Sequence, residues 1–430
     1  MSPKRKSAEP DKSGGGFRAY WALGGLVIGL LLGMASDRLA PGARAGALAV
    51  ASFVGTLWLN ALKMTVIPLV VTLLVTGIAR SAEAAQGGRV AARSVLWIVI
   101  ICTVSAIFGA LLMLLLTSVF PLARETAGAL QTALASVEGK APAALPGIAE
   151  FFKGVVPPNV LAAATNGDVL PLVVFALLFG LALTRVGRTG RAAVVNFFEA
   201  VAEALLVIIA WVLALAPIGV LALAFTVGNE AGGAAFAGLG HYIILISTIG
   251  LLWMLLGAYP MGIIVGRKRP AAFLQAMIGP QAVAISTRSS LASLPAMLSA
   301  ARVLGIREQV ADVSLPLAVA LFRSTGPAMN TAVAFYVAHW LGLHPSPAQM
   351  IAATAVGAVM SYGAISLPGE ITFISSIAPI CIALGAPIAP LALLVAVEMI
   401  PDIFRTLGNV TFDVALAAAV DRSPAETPER

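Results

Sequence analysis

Long apolar stretches dominate this chain and restrict how it can fold. Six of them are about 20 residues or longer, the length that crosses the hydrocarbon core of a bilayer as a helix. They lie at approximately 18–38, 47–79, 93–120, 168–186, 198–226 and 240–266. Of 430 residues, 59% are hydrophobic and only 11% are charged. These figures exclude a soluble enzyme, a disordered chain and a nucleic-acid-binding protein, and they indicate an all-α polytopic membrane protein.

Basic residues fall in alternate connections between these stretches. The clusters are Lys4/Arg5/Lys6, Arg80/Arg89/Arg93, Arg185/Arg188/Arg191 and Arg267/Lys268/Arg269. By the positive-inside rule these connections face the cytoplasm. The sequence therefore predicts a multi-pass protein of the cytoplasmic membrane, with both termini in the cytoplasm.

Metal and disulfide chemistry have little support in the composition. The chain has two cysteines, both in apolar stretches, and three histidines that share no helix face at ligand spacing. We expect no disulfide framework, no zinc-type site and no cofactor. Membrane lipid and a small molecule are the expected partners.

The last 160 residues are apolar but interrupted. The breakers are Gly279-Pro280, Leu294-Pro295, Gly326-Pro327 and Leu367-Pro368-Gly369. Irregular backbone at membrane depth must be enclosed by protein or line a cavity. We interpret about 272–300 and 347–385 as re-entrant hairpins, followed by spans at about 312–338 and 388–420. Eight spans and two hairpins, arranged as an inverted repeat, are typical of secondary transporters.

Seven ionisable residues in this region are predicted to lie at membrane depth, which makes them functional candidates. They are Arg288, Arg323, Glu370, Glu398, Asp402, Arg405 and Asp413. The spacing of Glu398, Asp402, Arg405, Asn409 and Asp413 places them on one helical stripe. That stripe must face the protein interior.

The chemistry of this stripe fits a zwitterion with an extra carboxylate. Arg405 offers a planar fork for a carboxylate, and Asp402 can accept an ammonium group. Asn409 can donate to a second carboxylate. The pattern predicts aspartate or glutamate as the ligand. An Asp402–Arg405 ion pair that only holds the helices together is the structural alternative.

Arg323 is predicted to lie near the centre of a span, with no acid within reach on its own helix. A buried guanidinium needs a partner from elsewhere. Our first choice is Asp413, and our second is Glu398.

Several motifs resemble the glutamate transporter family, the dicarboxylate/amino acid:cation symporters, over about 18–420. The last span contains Asp402-x-x-Arg405-Thr406-x-x-Asn409-Val410-Thr411-x-Asp413, which is similar to the family's signature almost throughout. The other matching segments are Leu62–Val70, Asn166–Pro171, Ala216–Val220, Thr287–Ser290 with Ser293-Leu294-Pro295, and Leu367-Pro368-Gly369.

The resemblance implies a homotrimer in which a transport domain carries substrate by an elevator motion against a scaffold domain. The scaffold would comprise 17–80 and 122–230, and the transport domain 85–121 and 235–420. The segments 1–16 and 421–430 would be tails. Arg405 would bind the side-chain carboxylate and Asp402 the amino group. The remaining contacts would come from Asn409, Thr406, Ser289, Ser290, Leu367, Pro368 and Gly369.

The sequence departs from the family where sodium binds. The family's Asn-Met-Asp-Gly-Thr motif falls on Phe322–Gly326 here, and its Thr-Ser pair in the third span falls on Thr103-Val104. Aligning the motif with Met329-Asn330-Thr331 instead would restore an asparagine, but still no aspartate. We expect sodium coupling to be weak or lost, with Arg323 as a tethered cation beside Asp413 and Glu398. A residual sodium site at Asp413 and Asn409 stays open.

Other energy sources and cargoes fit the same pattern. Glu370 or Glu398 could carry a proton, Arg288 adds charge at the first tip, and simple exchange is a further alternative. A C4-dicarboxylate symporter differs only in cargo, and an anion channel is the alternative of another class. No nucleophile–base pair is apparent, so we do not expect an enzyme.

Overall fold

The computed structural model describes residues 14–85, 88–123, 125–129, 132, 156–166, 169–362 and 369–421. This part of the chain is helical and has no β-strand, as predicted. Its main helices are α1 Gly14–Ala35, α2 Pro41–Ala85, α3 Arg89–Val119, α4 Val160–Asn166, α5 Val169–Leu183, α6 Arg188–Ala214, α7 Ala216–Ala231, α8 Ala234–Trp253, α9 Pro270–Thr287, α10 Ser290–Val303, α11 Glu308–Leu321, α12 Thr325–Trp340, α13 Pro347–Val359, α14 Gly369–Leu384, α15 Ala389–Leu394 and α16 Met399–Asp421.

Within the described residues, six helical segments are long and apolar enough to cross a membrane. They lie in α1, α2, α3, α6, α16 and the segment Ala234–Val265. The last of these continues α8 through two π-helical turns, Met254–Ala258 and Met261–Val265. These helices confirm the prediction of a multi-pass membrane protein.

The predicted span at 198–226 is wrong, because two helices occupy it. α6 ends at Ala214 and α7 begins at Ala216. Pro217 stands in the first turn of α7, where its missing N–H costs no helical bond, whereas within a continuous helix it would remove one. The chain therefore breaks at Leu215.

Three glycines let α1 pack directly on the backbone of α7. Gly25, Gly29 and Gly33 are four residues apart, so they lie on one face of α1. A Cβ added at Gly29 would lie 2.4 Å from the carbonyl oxygen of Leu221 and 2.8 Å from the Cβ of Ala224. The Gly-xxx-Gly spacing is the sequence signal for this contact, which our sequence analysis missed.

We expect Gly29→Ala to destabilise the protein by about 1–3 kcal/mol, because the added methyl group overlaps a backbone carbonyl. Gly24→Ala is the matched control, since a Cβ there meets nothing within 4 Å. That change should be neutral or stabilise by up to about 1 kcal/mol, the helix-propensity gain. Melting temperatures in detergent micelles measure both. Equal shifts of the same sign would contradict the close α1–α7 contact.

The described helices pack in two groups. In the first helix group, α2 contacts α5, α6 and α7, and α7 lies along α1. In the second helix group, α3 packs against α11, α12 and α13, while α16 contacts α8 to α12 and α14. The groups meet chiefly where α14 contacts α2, α5 and α6. This arrangement leaves α16 enclosed in the second group.

The first hairpin lies where the sequence predicted it. α9 and α10 pack together and reverse direction at Arg288 and Ser289. α13 and α14 also pack on each other. The tip between them, including Leu367 and Pro368, lies outside the described residues.

The two predicted spans that follow the hairpins are each interrupted. α11 ends at Leu321 and α12 begins at Thr325, with Phe322 in extended conformation. In the last span, the turn Val395–Glu398 separates α15 from α16. Pro327 and Pro401 each stand third in the helix after the break, where backbone N–H groups have no intrahelical acceptor. The breaks leave polar backbone groups inside the protein.

Candidate functional site

A row of buried polar side chains on α16 forms the candidate site. Asp402, Arg405, Thr406, Asn409 and Asp413 are all buried. Every position from Gly408 to Val420 is buried, and nearly all the remaining side chains in this range are apolar or small. The predicted stripe therefore faces the protein interior. Glu398 is also buried, but it lies in the turn before α16 and not on the helix.

Arg405 is the centre of an ion-pair cluster. Its Nη1 donates to Oε1 of Glu398 in a short contact and to Oδ1 of Asp402 at 3.2 Å. Its Nη2 donates to Oδ1 of Asn330 on α12 at 3.4 Å. The Nε of Arg405 is buried and has no hydrogen-bond partner among the described residues. The guanidinium thus keeps a donor for a ligand.

Glu398 is held from both sides. Its second oxygen, Oε2, accepts a hydrogen bond of 2.9 Å from the hydroxyl of Tyr242 on α8. Both carboxylate oxygens are therefore engaged by the protein. Tyr242 is a site residue that the sequence analysis missed, and no charge or motif marks it. Asn330 belongs to Met329-Asn330-Thr331, the alternative alignment of the seventh-span motif, and it contacts Arg405.

Two further arginines surround Asp402. Arg288 at the first hairpin tip brings its Nη1 to 4.0 Å from Oδ2 of Asp402. Its backbone is left-handed, with φ 49° and ψ 36°, which is uncommon outside glycine. Arg323 lies in the break between α11 and α12, where it is attracted by Asp402 and repelled by Arg405. Three arginines thus share two carboxylates, Glu398 and Asp402.

The predicted pairing of Arg323 with Asp413 is wrong. Both oxygens of Asp413 are buried and lack a hydrogen-bond partner among the described residues. The second choice, Glu398, is held by Arg405 and Tyr242. Arg323 lies in the break between α11 and α12, and the carboxylate that attracts it electrostatically is Asp402. Asp413 lies three turns further along α16 than Asp402.

Asn409 has a structural bond that the sequence did not predict. Its Oδ1 accepts a hydrogen bond of 2.9 Å from the backbone N–H of Thr325. Because a backbone N–H can only donate, the amide oxygen must face Thr325, and the Nδ2 group points elsewhere. Asn409 thereby closes the start of α12 and keeps its NH2 group as a donor.

The other predicted substrate residues are positioned by their helices. The Thr406 hydroxyl donates to the carbonyl of Asp402 at 2.9 Å. Ser289 caps α10 by accepting from the Ala292 N–H at 3.2 Å, and Ser290 is the first residue of that helix. Gly369 is the first residue of α14. The side chain of Glu370 lies outside what the structure describes.

The third-span hydroxyl that contacts the break is Ser105, one residue after the Thr103-Val104 pair that was aligned with the family's Thr-Ser pair. Ser105 is fully buried, and its hydroxyl donates to the carbonyl of Ser324. The Thr103 hydroxyl instead bonds to Val99 and to the Tyr362 hydroxyl. The hydroxyl at the break is therefore retained, one or two positions later than expected.

Several buried oxygens on α16 and at the start of α12 lack a hydrogen-bond partner within the described structure. Among the described residues they include Oγ of Ser324, Oγ1 of Thr325 and both carboxylate oxygens of Asp413. A buried polar atom without a partner costs free energy, so a proton, a small cation or water is required there. No cluster of three or more His, Cys, Asp or Glu side chains occurs in the described chain.

The family model for the sodium:dicarboxylate symporter family matches residues 19–423. The chain belongs to this family. A proton/sodium-glutamate symport protein of Bacillus subtilis (strain 168) is 29% identical over 376 residues, covering 85% of this chain and 84% of its own. A proton/glutamate-aspartate symporter of Escherichia coli (strain K12) is 27% identical over 413 residues, covering 94% and 91%. A C4-dicarboxylate transport protein of Rhizobium leguminosarum is 25% identical over 371 residues, covering 86% and 82%.

Membership of the sodium:dicarboxylate symporter family makes this protein a membrane transporter and not an enzyme, as the sequence predicted. It also supports a dicarboxylate or amino acid as the cargo.

Proposed function

We propose that this family member is a secondary active transporter that moves aspartate or glutamate across the cytoplasmic membrane. The observation that supports this proposal is the net charge of the ion-pair cluster around Arg405. Among the described side chains, Arg288, Arg323 and Arg405 contribute +3, and Glu398 and Asp402 contribute −2, a sum of +1 for these five groups. An acidic amino acid has a net charge of −1 and neutralises this cluster.

Asp402 supports an amino acid over a C4-dicarboxylate. Its carboxylate stands 3.2 Å from the Arg405 guanidinium, so a ligand carboxylate on Arg405 brings its ammonium towards Asp402. A C4-dicarboxylate has no ammonium group for this acid. It would also take the cluster from +1 to −1, an uncompensated buried charge.

The hairpins would complete the binding site. Ser289 and Ser290 at the first tip, and the segment Leu367–Gly369 at the second, would hold the ligand's backbone groups. The first helix group would serve as the scaffold of a homotrimer, and the second group would be the moving transport domain. Both termini would lie in the cytoplasm. These assignments rest on the resemblance and on how the described helices pack.

Arg323 has a different role from the one we predicted. It adds fixed positive charge beside Asp402 and would lessen the need for a bound sodium ion there. Coupling would then depend on Asp413. Glu398 is a poorer proton carrier because Arg405 and Tyr242 occupy both its oxygens.

Proton coupling at Asp413 needs only one free oxygen, and both are free of hydrogen bonds among the described residues. Sodium coupling is the second candidate. It is favoured by the partnerless hydroxyls of Ser324 and Thr325, which are hard oxygen ligands of the kind small cations select.

Substrate choice is tested by uptake into proteoliposomes. Labelled aspartate should accumulate, and unlabelled aspartate or glutamate should compete for it. Succinate should compete at least about tenfold less well, a difference of about 1.4 kcal/mol. Succinate competing as well as aspartate would favour the C4-dicarboxylate alternative.

Ion dependence gives a separate prediction. Replacing sodium with choline should leave aspartate uptake nearly unchanged, whereas Arg323→Gln should raise the KM for aspartate about tenfold or more, since a buried charge is lost. Arg302→Gln is the matched control, because Arg302 pairs with Glu308 at the surface. A strict sodium requirement in the unmodified protein would instead establish the sodium-coupled candidate.

A further inference from the structure

The break that carries Arg323 is held by side chains from other helices. The carbonyl oxygen of Ser324 accepts a hydrogen bond from the Ser105 hydroxyl of α3. It accepts a second, of 3.0 Å, from the Nε1–H of Trp253 on α8. A carbonyl that lost its helical donor at the break is thus saturated by the protein.

The N–H groups that open α12 are also satisfied from outside that helix. The Ala328 N–H donates to Oγ of Ser105 at 3.0 Å, and the Thr325 N–H donates to Oδ1 of Asn409 at 2.9 Å. Ser105 therefore bridges the Ser324 carbonyl and the Ala328 N–H, both at the start of α12. Three helices, α3, α8 and α16, together replace the missing helical bonds.

The indole of Trp253 is itself fixed in place. Its ring lies 4.9 Å from that of Phe108 and 5.2 Å from that of Phe412, measured between centroids. Phe412 in turn makes an edge contact with Phe322 at 6.4 Å, immediately before Arg323. Packing against two aromatic rings restricts the indole and helps to keep its N–H on Ser324.

We propose that Ser105 and Trp253 are positioning residues, which hold the break in the shape that sets the position of Arg323. This inference rests on the proposed function, because Arg323 is taken to contribute charge to ligand binding. Neither residue touches the cluster. Their effect on substrate should therefore pass through Arg323.

The direct test is Trp253→Phe, which removes the N–H and keeps most of the ring. We expect the KM for aspartate to rise about tenfold, the equivalent of one buried hydrogen bond. Trp58→Phe is the matched control. The Nε1–H of Trp58 donates to the carbonyl of Val212 at 2.9 Å in the first helix group. The Ser324 carbonyl keeps the Ser105 hydroxyl as a donor, and the Val212 carbonyl keeps the Leu215 N–H. Both variants therefore lose comparable hydrogen bonds.

A double-mutant cycle separates positioning from general damage. In an Arg323→Gln background, Trp253→Phe should change the KM by no more than about twofold, because the group it positions is gone. An undiminished tenfold rise in that background would overturn the proposal. So would an equal rise caused by Trp58→Phe.

Hydrogen exchange provides a readout that needs no substrate. Ser105→Ala should speed amide exchange in peptides covering 322–330, since Ala328 loses its acceptor, while peptides from α13 stay unchanged. If exchange rises but no aspartate transport exists, the proposed function fails and the break assignment stands. If transport exists but exchange is unaltered, Ser105 does not hold the break.

Discussion

Arg405→Gln should abolish aspartate transport. The guanidinium is buried, donates to Glu398 and Asp402, and keeps its Nε without a partner among the described residues. Losing a buried charged contact costs about 4 kcal/mol, which corresponds to a fall of about a thousandfold in kcat/KM. Uptake of labelled aspartate into proteoliposomes measures this loss.

The same substitution leaves Glu398 as a buried charge without its cation. We therefore expect the melting temperature to fall as well, since breaking a buried pair costs about 3–5 kcal/mol. The double variant Arg405→Gln/Glu398→Gln removes both charges and should regain most of this stability. It should remain inactive, because no fork for the substrate carboxylate is restored.

The double variant also distinguishes a role of the Arg405 cluster in substrate binding from a purely structural role. If it transports aspartate as well as the unmodified protein, the Arg405 cluster only holds the helices together. Arg405→Lys adds a second comparison, because lysine keeps the charge and loses the planar fork. It should keep more stability than Arg405→Gln while binding aspartate poorly.

Asp413→Asn should uncouple transport from its driving ion. Asp413 is fully buried, and both its oxygens lack hydrogen-bond partners in the described structure. A neutral amide of nearly the same shape cannot gain or lose a proton. We expect accumulation driven by a pH gradient to disappear, while exchange of internal for external aspartate continues at a comparable rate.

A surface acid is the control for this change. Asp312 on α11 is exposed, so Asp312→Asn should leave both gradient-driven uptake and exchange intact. If Asp413→Asn still accumulates aspartate under a pH gradient, protons are not carried at this position. If Asp413→Asn instead loses aspartate uptake driven by a sodium gradient, that result supports sodium coupling.

Part of the candidate site could be read from local spacing. Asp402, Arg405, Asn409 and Asp413 were placed on one face because helical periodicity needs only residue numbers. Breakers such as Gly326-Pro327 indicated interrupted helices for the same local reason. Tyr242, Ser105 and Trp253 carry no such signal, since a hydroxyl or an indole in an apolar helix has many other uses.

The partner of Arg323 could not be predicted from local sequence spacing. The sequence analysis named Asp413 as the first-choice partner because no acid on the span at about 312–338 was within reach of this guanidinium. The unwound turn changed its direction and height, and it came to lie within the field of Asp402 instead. A break of three residues alters both rotation and rise, and the bonds that set its shape come from three distant helices.

The sequence alone determined that this protein is a helical membrane transporter with a charged stripe in its last span, because apolar length, cation placement and helical period are local properties. Only the tertiary structure decided which charges pair, where the helices break and which acid stands without a partner. Those outcomes depend on distances between residues far apart in the chain, and interaction energies between buried charges change steeply with such distances.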